Sequence, residues 1–512
     1  MGSKTSNSLQ DIVVRLMVRF FRAEWSGALL AILVLAVSIE LSTTGKPFFH
    51  PSNLMTILNN SAALGIVAGG MTLVILTAGI DLSVGSVMGM TAALTGYVAS
   101  FWGFPPYLAI ITGLSLGALI GLFHGSLISQ FGMPAFIVTL AGLSMWRGVG
   151  HLSTGAQASP KLPSTFDNFG RYNPLSPIRE AYKAGELPGF LEPLGHFLDA
   201  NWMEYFRTFQ MSMILFILFF MLLAVIISNS VYGRYIYAIG SNETGARQAG
   251  INTIRYKMMT YVFCSVAAAF GALLFLGRAP YAKSDYGQMW ELHAIAAVVI
   301  GGTSLFGGRG TILGTFFGVI LLKLINNGLT LAQLNTFWQM VVTGLIILIA
   351  VGLDIVRQSR DEETVRKFLA AVGTAMAFLT LMTPAALLSR AAIAIHENNS
   401  MVALKDAGMK LANGQNQRLL SPNDIEAHLA MISSSWFPTV LCLALLALSV
   451  TAILRPERVL GIGIACIFCI IAAILFLGQF SAAAPFMILG ALALVGSAMV
   501  APMFKRAKLL AQ

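Results

Sequence analysis

Charge is scarce in this chain. Only 11% of its 512 residues are Asp, Glu, Lys or Arg, where a soluble globular protein carries about 25%. Cysteine is scarcer still: Cys264, Cys442, Cys466 and Cys469 each sit in an apolar run. No CxxC…CxxC or Cys/His ligand spacing occurs, so the cysteines read as small core residues rather than zinc ligands. HExxH is missing, and Glu291 beside His293 makes no metal signature, so no metal is expected. The phosphate-cradling G-x-x-x-x-G-K-[ST] is missing too. Gly45–Lys46 is followed by proline and lacks the upstream glycine. The chain therefore shows no recognisable means of hydrolysing ATP. A cleaved signal is not expected either. The first apolar run starts near Ser26, after Arg15, Arg19 and Arg22, without an A-x-A site.

What the chain has is apolar length. It is 56% hydrophobic, with mean hydropathy +0.77. Most hydrophobic stretches reach the roughly 20 residues that cross ~30 Å of hydrocarbon. Backbone groups in lipid must be satisfied internally, so these stretches are helices. A β-barrel would alternate in ~10-residue segments. The fold class is an all-α polytopic membrane protein. The expected spans are 26–42, 58–78, 83–101, 106–128, 134–151, 209–229, 258–277, 292–306, 311–328 and 338–356, then 369–389, 434–454, 459–478 and 483–503. Counting from a cytoplasmic N-terminus puts most short-loop cations inside, including Arg234, Arg247, Arg255, Lys257, Arg357, Arg360 and Lys505. Outer short loops keep only Lys46, Arg278 and Lys283. That bias supports both termini in the cytoplasm. The net charge of +10 is thus explained by orientation and anionic lipid headgroups, with no nucleic-acid partner.

Segments follow from the pattern. Residues 1–25 form a cytoplasmic N-terminal segment, and 26–356 a core of about ten spans. Residues 152–208 make a long periplasmic loop. Its part 175–208, with Pro177, Pro188 and Pro193, suits either a small ordered cap or a flexible loop. Residues 357–368, "RQSRDEETVRKF", are a cytoplasmic linker. Residues 369–512 add about four spans, with a second long loop at 390–433.

One stretch breaks an apolar run: "TAGIDLSVGS", Thr77 to Ser86. A carboxylate at a helix centre costs about 2.5–3.5 kcal/mol on insertion scales. Gly79 and Gly85 permit a break, and Asp81 or Ser83 would cap the next helix. The same residues also suit a broken helix lining a translocation path. "GTSLFGG", Gly302 to Gly308, repeats the spacing of "GIDLSVG". An Asp81–Arg309 ion pair is conceivable, though a solvated Arg309 fits better. The segment 232–257 differs in kind. Ser241 or Asn242 would cap a short helix at 243–249, and Gly250 would end it. It is either a basic loop or a docking helix for a cytoplasmic partner. Other polar residues in or near spans are Asn59, Asn60, His124, Arg147, Lys323, Asn326, Asn327 and Gln339. Each alone is more often snorkelling or paired than a ligand site.

Five stretches, in order over roughly 25–356, carry a resemblance. They are "AGGMTLVILTAGIDLSVGSVMGMTAAL", "FGMPAFIVTLAGLSMWRGVGHLSTGA", "VYGRYIYAIGSNETGARQAGI", "ELHAIAAVVIGGTSLFGGRGTILGTFFGVI" and "NNGLTLAQLNTFWQMVVTGLIILIAVGLD". The chain resembles the permease subunits of bacterial ABC importers for ribose, xylose and related monosaccharides. The resemblance implies an inner-membrane permease core of about ten helices, paired with a second copy or a related permease. It implies a periplasmic sugar-binding protein and a cytoplasmic ATPase with two nucleotide-binding halves, which would hold ATP and Mg. Asn242, Glu243, Ala246, Arg247, Gly250 and Ile251 are similar to the stretch that docks on that ATPase. Gly79, Asp81, Ser83, Gly85, Gly302 and Gly308 would form the breaks beside the path, and Asn59, Asn60, Asn326, Asn327 and Gln339 would line it. The chain departs from the family in an insertion around 171–206 and in the block after 356. On physics alone, broken helices and a buried acid also suit an ion-gradient-driven secondary transporter or channel.

Overall fold

The computed structural model describes residues 48–331 throughout, with parts of 28–40 and of 339–351. Two units divide the chain, Met1–Asp354 and Ile355–Gln512, and all described residues belong to the first. The expected segment 1–25, linker 357–368 and four-span extension 369–512 with its loop 390–433 lie outside the described residues.

Among the described residues every regular element is helical. The first helices are α1 (Pro51–Leu76), α2 (Val84–Ser100), α3 (Pro106–Ser129) and α4 (Ala135–Thr154). Proline stands in the first turn of α1 and of α3, where its missing N–H costs nothing. After α4 come α5 (Ser176–Ala184) and α6 (Glu192–Ala200). The chain continues through α7 (Met211–Asn229), α8 (Val231–Ser241), α9 (Glu243–Gln248), α10 (Thr253–Leu276), α11 (Trp290–Ile300) and α12 (Ile312–Leu331). Five of them, α1, α3, α7, α10 and α12, are long and apolar enough to cross a membrane.

Three boundaries differ from expectation by five residues or more; α10 begins at Thr253 rather than 258, and the other two have physical reasons. Helix α1 begins at Pro51 rather than 58, because its polar early residues are satisfied inside the helical structure; Asn53 and Asn59 bond within the protein. The helix expected at 292–306 ends at Ile300, because Gly302 takes φ 92 and turns the chain out of helix.

The bundle is built around α1 and α10. From Ser61 to Leu76 every residue of α1 is buried. Helices apolar all round belong either to a core or in lipid, and here both cases occur. Peripheral α3 and α7 turn Ile111, Leu119, Leu122, Met221, Leu222 and Val225 outward, a lipid-facing surface. Close approach of α3 to α10 depends on a glycine every fourth residue, Gly117, Gly121 and Gly125, while Gly113 one turn earlier faces Thr95 of α2. A Cβ on Gly117 would stand 2.8 Å from the Ser265 carbonyl oxygen, and one on Gly125 3.0 Å from Met258 Cα. Small residues at that spacing let membrane helices touch backbone to backbone.

The segment 155–210 is an ordered cap rather than a structureless loop. Helix α5 lies against α6, tied by Arg179 Nε to Asp199 Oδ1 at 2.7 Å and by Lys183 to the same oxygen at 3.3 Å. Arg179 also stacks 4.8 Å from the Trp202 ring centroid. The cap is sewn to the bundle: Arg171 N donates to Gly277 O at 3.1 Å and Ser212 N to Gly170 O at 3.2 Å. The Arg179 hydrogen bond, with Lys183 beside it, holds the Asp199 carboxyl below the usual carboxylate range. Because the folded value is depressed, this tie is fully present above the unfolded value of about 3.9. It is lost as pH falls through the lower folded value. Trp202 emission, taken as the difference from Trp202→Phe, is expected to stay flat between about pH 7 and 5 and to change only in more acid solution. A transition near neutrality would contradict this arrangement.

Candidate functional site

The two glycine-framed breaks meet at one end of the bundle, opposite the cap. The first lies between Leu76 and Val84, the second between Ile300 and Ile312. The α1 helix ends with a free carbonyl at Leu76, and Gly308 N from the second break donates to it at 3.0 Å. Helix α8 closes over both. Tyr237 Oη donates to the Gly310 carbonyl at 2.7 Å. Gly240 lies so close that a Cβ there would run into the Leu76 carbonyl oxygen and stand 2.6 Å from Gly308 N. We call this three-part contact the clasp. Of the predicted break residues, Gly302 and Gly308 take left-handed φ of 92 and 69, which explains glycine at both.

At the first break the expectation needs correcting. The left-handed residue is Ala78, φ 58, not Gly79, and Gly85 lies inside α2. Both glycines are needed for proximity instead. A Cβ on Gly79 would collide with Tyr261 Oη, and one on Gly85 with Glu291 Oε2 and the Gly287 carbonyl. Ser83 occupies the N-cap of α2 but makes no side-chain cap bond. Its hydroxyl turns back to Asp81. The fully buried Asp81 accepts at Oδ1 from Ser83 N, 2.9 Å, and from Ser83 Oγ, 2.6 Å. That is a turn-forming bond ahead of the helix. Ser83 Oγ in turn lies 3.3 Å from His124 Nδ1, and Trp146 Nε1 donates to His124 Nε2 at 2.9 Å. The indole can only donate. A neutral His124 therefore carries its proton on Nδ1 and donates to Ser83. The second carboxylate oxygen, Oδ2, and Tyr261 Oη have no hydrogen-bond partner among the described residues. Asp81 forms no ion pair with Arg309 among them.

Beyond the clasp, α9 forms as its residues dictate. Asn242 caps it, its Oδ1 accepting from Gly245 N at 2.8 Å. Gly250 leaves it with φ 84. Ala246 is buried, and its carbonyl accepts from Ile251 N at 3.1 Å. Glu243 binds Lys257 of α10 at 2.9 Å and Arg247 at 3.4 Å. A cleft of ≈ 460 Å³ separates α9 from the α3–α4 turn, with Gly79 and Tyr261 at its base.

The remaining predicted residues share one cavity nearer the other end. Asn59, Asn60, Asn326, Asn327 and Gln339 all line a space of ≈ 610 Å³ between α1, α10 and α12. Ser83 is not among them. Asn327 exchanges two hydrogen bonds with Asn53, at 3.1 and 2.9 Å. Arg278, Lys323 and Trp290 line the same space. In the sequence Arg278 is a short-loop charge that nothing local joins to Lys323. Tyr237 and Gly240 carry no local signature either. The contact that makes Gly240 matter is to residues more than sixty positions away on either side, and no local pattern carries it.

The family described as branched-chain amino acid transport system, permease component, matches residues 53–351. The chain is 38% identical over 328 residues to the ribose import permease protein RbsC of Bacillus subtilis (strain 168), covering 64% of this chain and 90% of that protein. It is 34% identical over 325 residues to the fructose import permease protein FrcC of Rhizobium meliloti, covering 64% and 84%. It is 31% identical over 348 residues to the xylose transport system permease protein XylH of Escherichia coli (strain K12), covering 62% and 88%. No solved structure matches. With more than half of its length matched, and most of each of these relatives covered, this chain belongs to that family of transport-system permease components.

Proposed function

We propose that the chain is the membrane subunit of an ATP-driven importer for a monosaccharide or similar small polar solute. It lies in the bacterial inner membrane with both termini in the cytoplasm. It has about ten spans in its core and about four after residue 368. It works beside a second permease copy or a related permease. A periplasmic binding protein delivers solute on the cap side, and a cytoplasmic ATPase with two nucleotide-binding halves supplies ATP and Mg. The clasp carries this reading. A force applied to α8–α9 reaches both helix breaks directly, through Tyr237–Gly310 and Gly308–Leu76. Closure of the ATPase halves on nucleotide pushes α9, and the ends of α1 and α11 move with it. The binding protein shifts the equilibrium only by its differential affinity for the two states. The amide-lined cavity is the part of the path open toward the cap.

The test is at the docking helix. Glu243→Lys sets a third cation beside Lys257 and Arg247, and Gly250→Pro forces φ away from 84. Each is expected to lower uptake about tenfold or more, the scale of a typical coupling energy, while the assembled complex still hydrolyses ATP. Normal uptake in both variants removes the docking assignment.

A further inference from the structure

We propose that the cavity between α1, α10 and α12 selects an anionic solute, a monosaccharide derivative bearing a carboxylate or a phosphate, over a neutral sugar. This rests on the reading of that cavity as part of the path. Two cations line it, Arg278 and Lys323. Among the described residues neither has a carboxylate partner. The ion pairs are Arg171–Asp167, Arg179–Asp199, Lys183–Asp199, Arg247–Glu243 and Lys257–Glu243. The charged neighbour felt by Lys323 is Arg278 itself, a like charge. The charged neighbour that acts on Arg278 is Arg171, also a like charge.

The contacts these cations do make are neutral. Arg278 donates from Nη1 to the Asn59 carbonyl and from Nη2 to Asn60 Oδ1, both at 2.8 Å. Lys323 Nζ stands 5.6 Å from the centroid of the Trp290 ring. Carbonyl dipoles and a ring face attract a cation but do not neutralise it. Two like charges lining one cavity repel each other, and an ion of opposite sign between them relieves both at once. The guanidinium fork suits planar carboxylates and phosphates. The rest of the lining suits the remainder of a sugar: the Asn326 amide can meet hydroxyls, and the Trp290 ring offers an apolar face. A cavity built for a neutral sugar needs the amides and the ring but not two cations that lack a carboxylate partner among the described residues.

The experiment places a reporter thiol in the cavity. Asn326→Cys in the full chain, in phosphatidylcholine vesicles, is treated with two ethyl methanethiosulfonates, one bearing sulfonate and one trimethylammonium. Labelling of the unmodified chain is subtracted. Rates are normalised to Phe190→Cys on the exposed cap. The sulfonate is expected to react faster by about tenfold or more, as cavity focusing predicts. Adding Lys323→Gln or Arg278→Gln should reduce that preference, and both together should erase it. Equal rates for the two reagents overturn the anionic solute and leave the path reading intact. No labelling by either reagent removes the path reading and the proposal with it. A preference that vanishes when a third of the lipid is phosphatidylglycerol assigns the cations to a lipid headgroup and also overturns the proposal.

Discussion

Gly240→Ala is expected to lower uptake about fivefold or more, matching loss of a coupling worth about 1–3 kcal/mol. Local propensity argues the opposite, since Ala is better than Gly inside a helix by about 0.8–1.0 kcal/mol. The clasp decides the outcome. A single methyl at Gly240 meets the Leu76 carbonyl oxygen and stands 2.6 Å from Gly308 N, backbone atoms that already bond each other at 3.0 Å. No flexible side chain is there to yield. Either α8 moves away, taking Tyr237 off Gly310, or the Gly308–Leu76 bond opens. Both separate α8 and α9 from the breaks. Gly148→Ala on α4 is the control, because a Cβ there meets nothing within 4 Å. It should leave uptake unchanged. If Gly240→Ala transports as well as Gly148→Ala, force does not pass through the clasp.

Asp81→Ala should lower both the thermal midpoint of the purified chain and its transport, whereas Asp81→Asn should preserve both. Alanine leaves the buried Ser83 N–H and hydroxyl without their acceptor. Each unsatisfied buried group costs about 1–3 kcal/mol. Asparagine keeps an acceptor at Oδ1. Its amide donors take the place of Oδ2, beside Tyr261, whose hydroxyl otherwise lacks a partner among the described residues. The two substitutions thus separate hydrogen bonding from charge. Equal loss in both would show that Asp81 acts through its charge, not through the turn it builds with Ser83.

Much of this molecule is legible in its sequence because membrane helices are written in long apolar runs. The breaks at 77–83 and 301–311 are legible because glycine and a buried acid interrupt those runs. Asn242 and Gly250 are legible because caps have local signatures. What the residues do across the fold is not local. Gly79 and Gly85 suggest backbone freedom, yet Ala78 takes the strained turn and the glycines make room for Tyr261 and Glu291. Asp81 suggests a helix cap, yet it organises Ser83, His124 and Trp146 into one buried chain of hydrogen bonds. The cap at 155–210 is ambiguous in sequence because its order depends on the Arg179–Asp199 tie and on backbone bonds to Gly277 and Ser212.

The most direct test is solute uptake into proteoliposomes, measured with this chain alone and with the ATPase and binding protein added. Radiolabelled ribose, fructose and xylose, with their carboxylate and phosphate derivatives, are presented under ATP and, separately, under imposed proton and sodium gradients. The account predicts uptake only in the complete assembly with ATP, and none by the chain alone under either gradient. Gradient-driven uptake by the chain alone would contradict it and establish a secondary transporter.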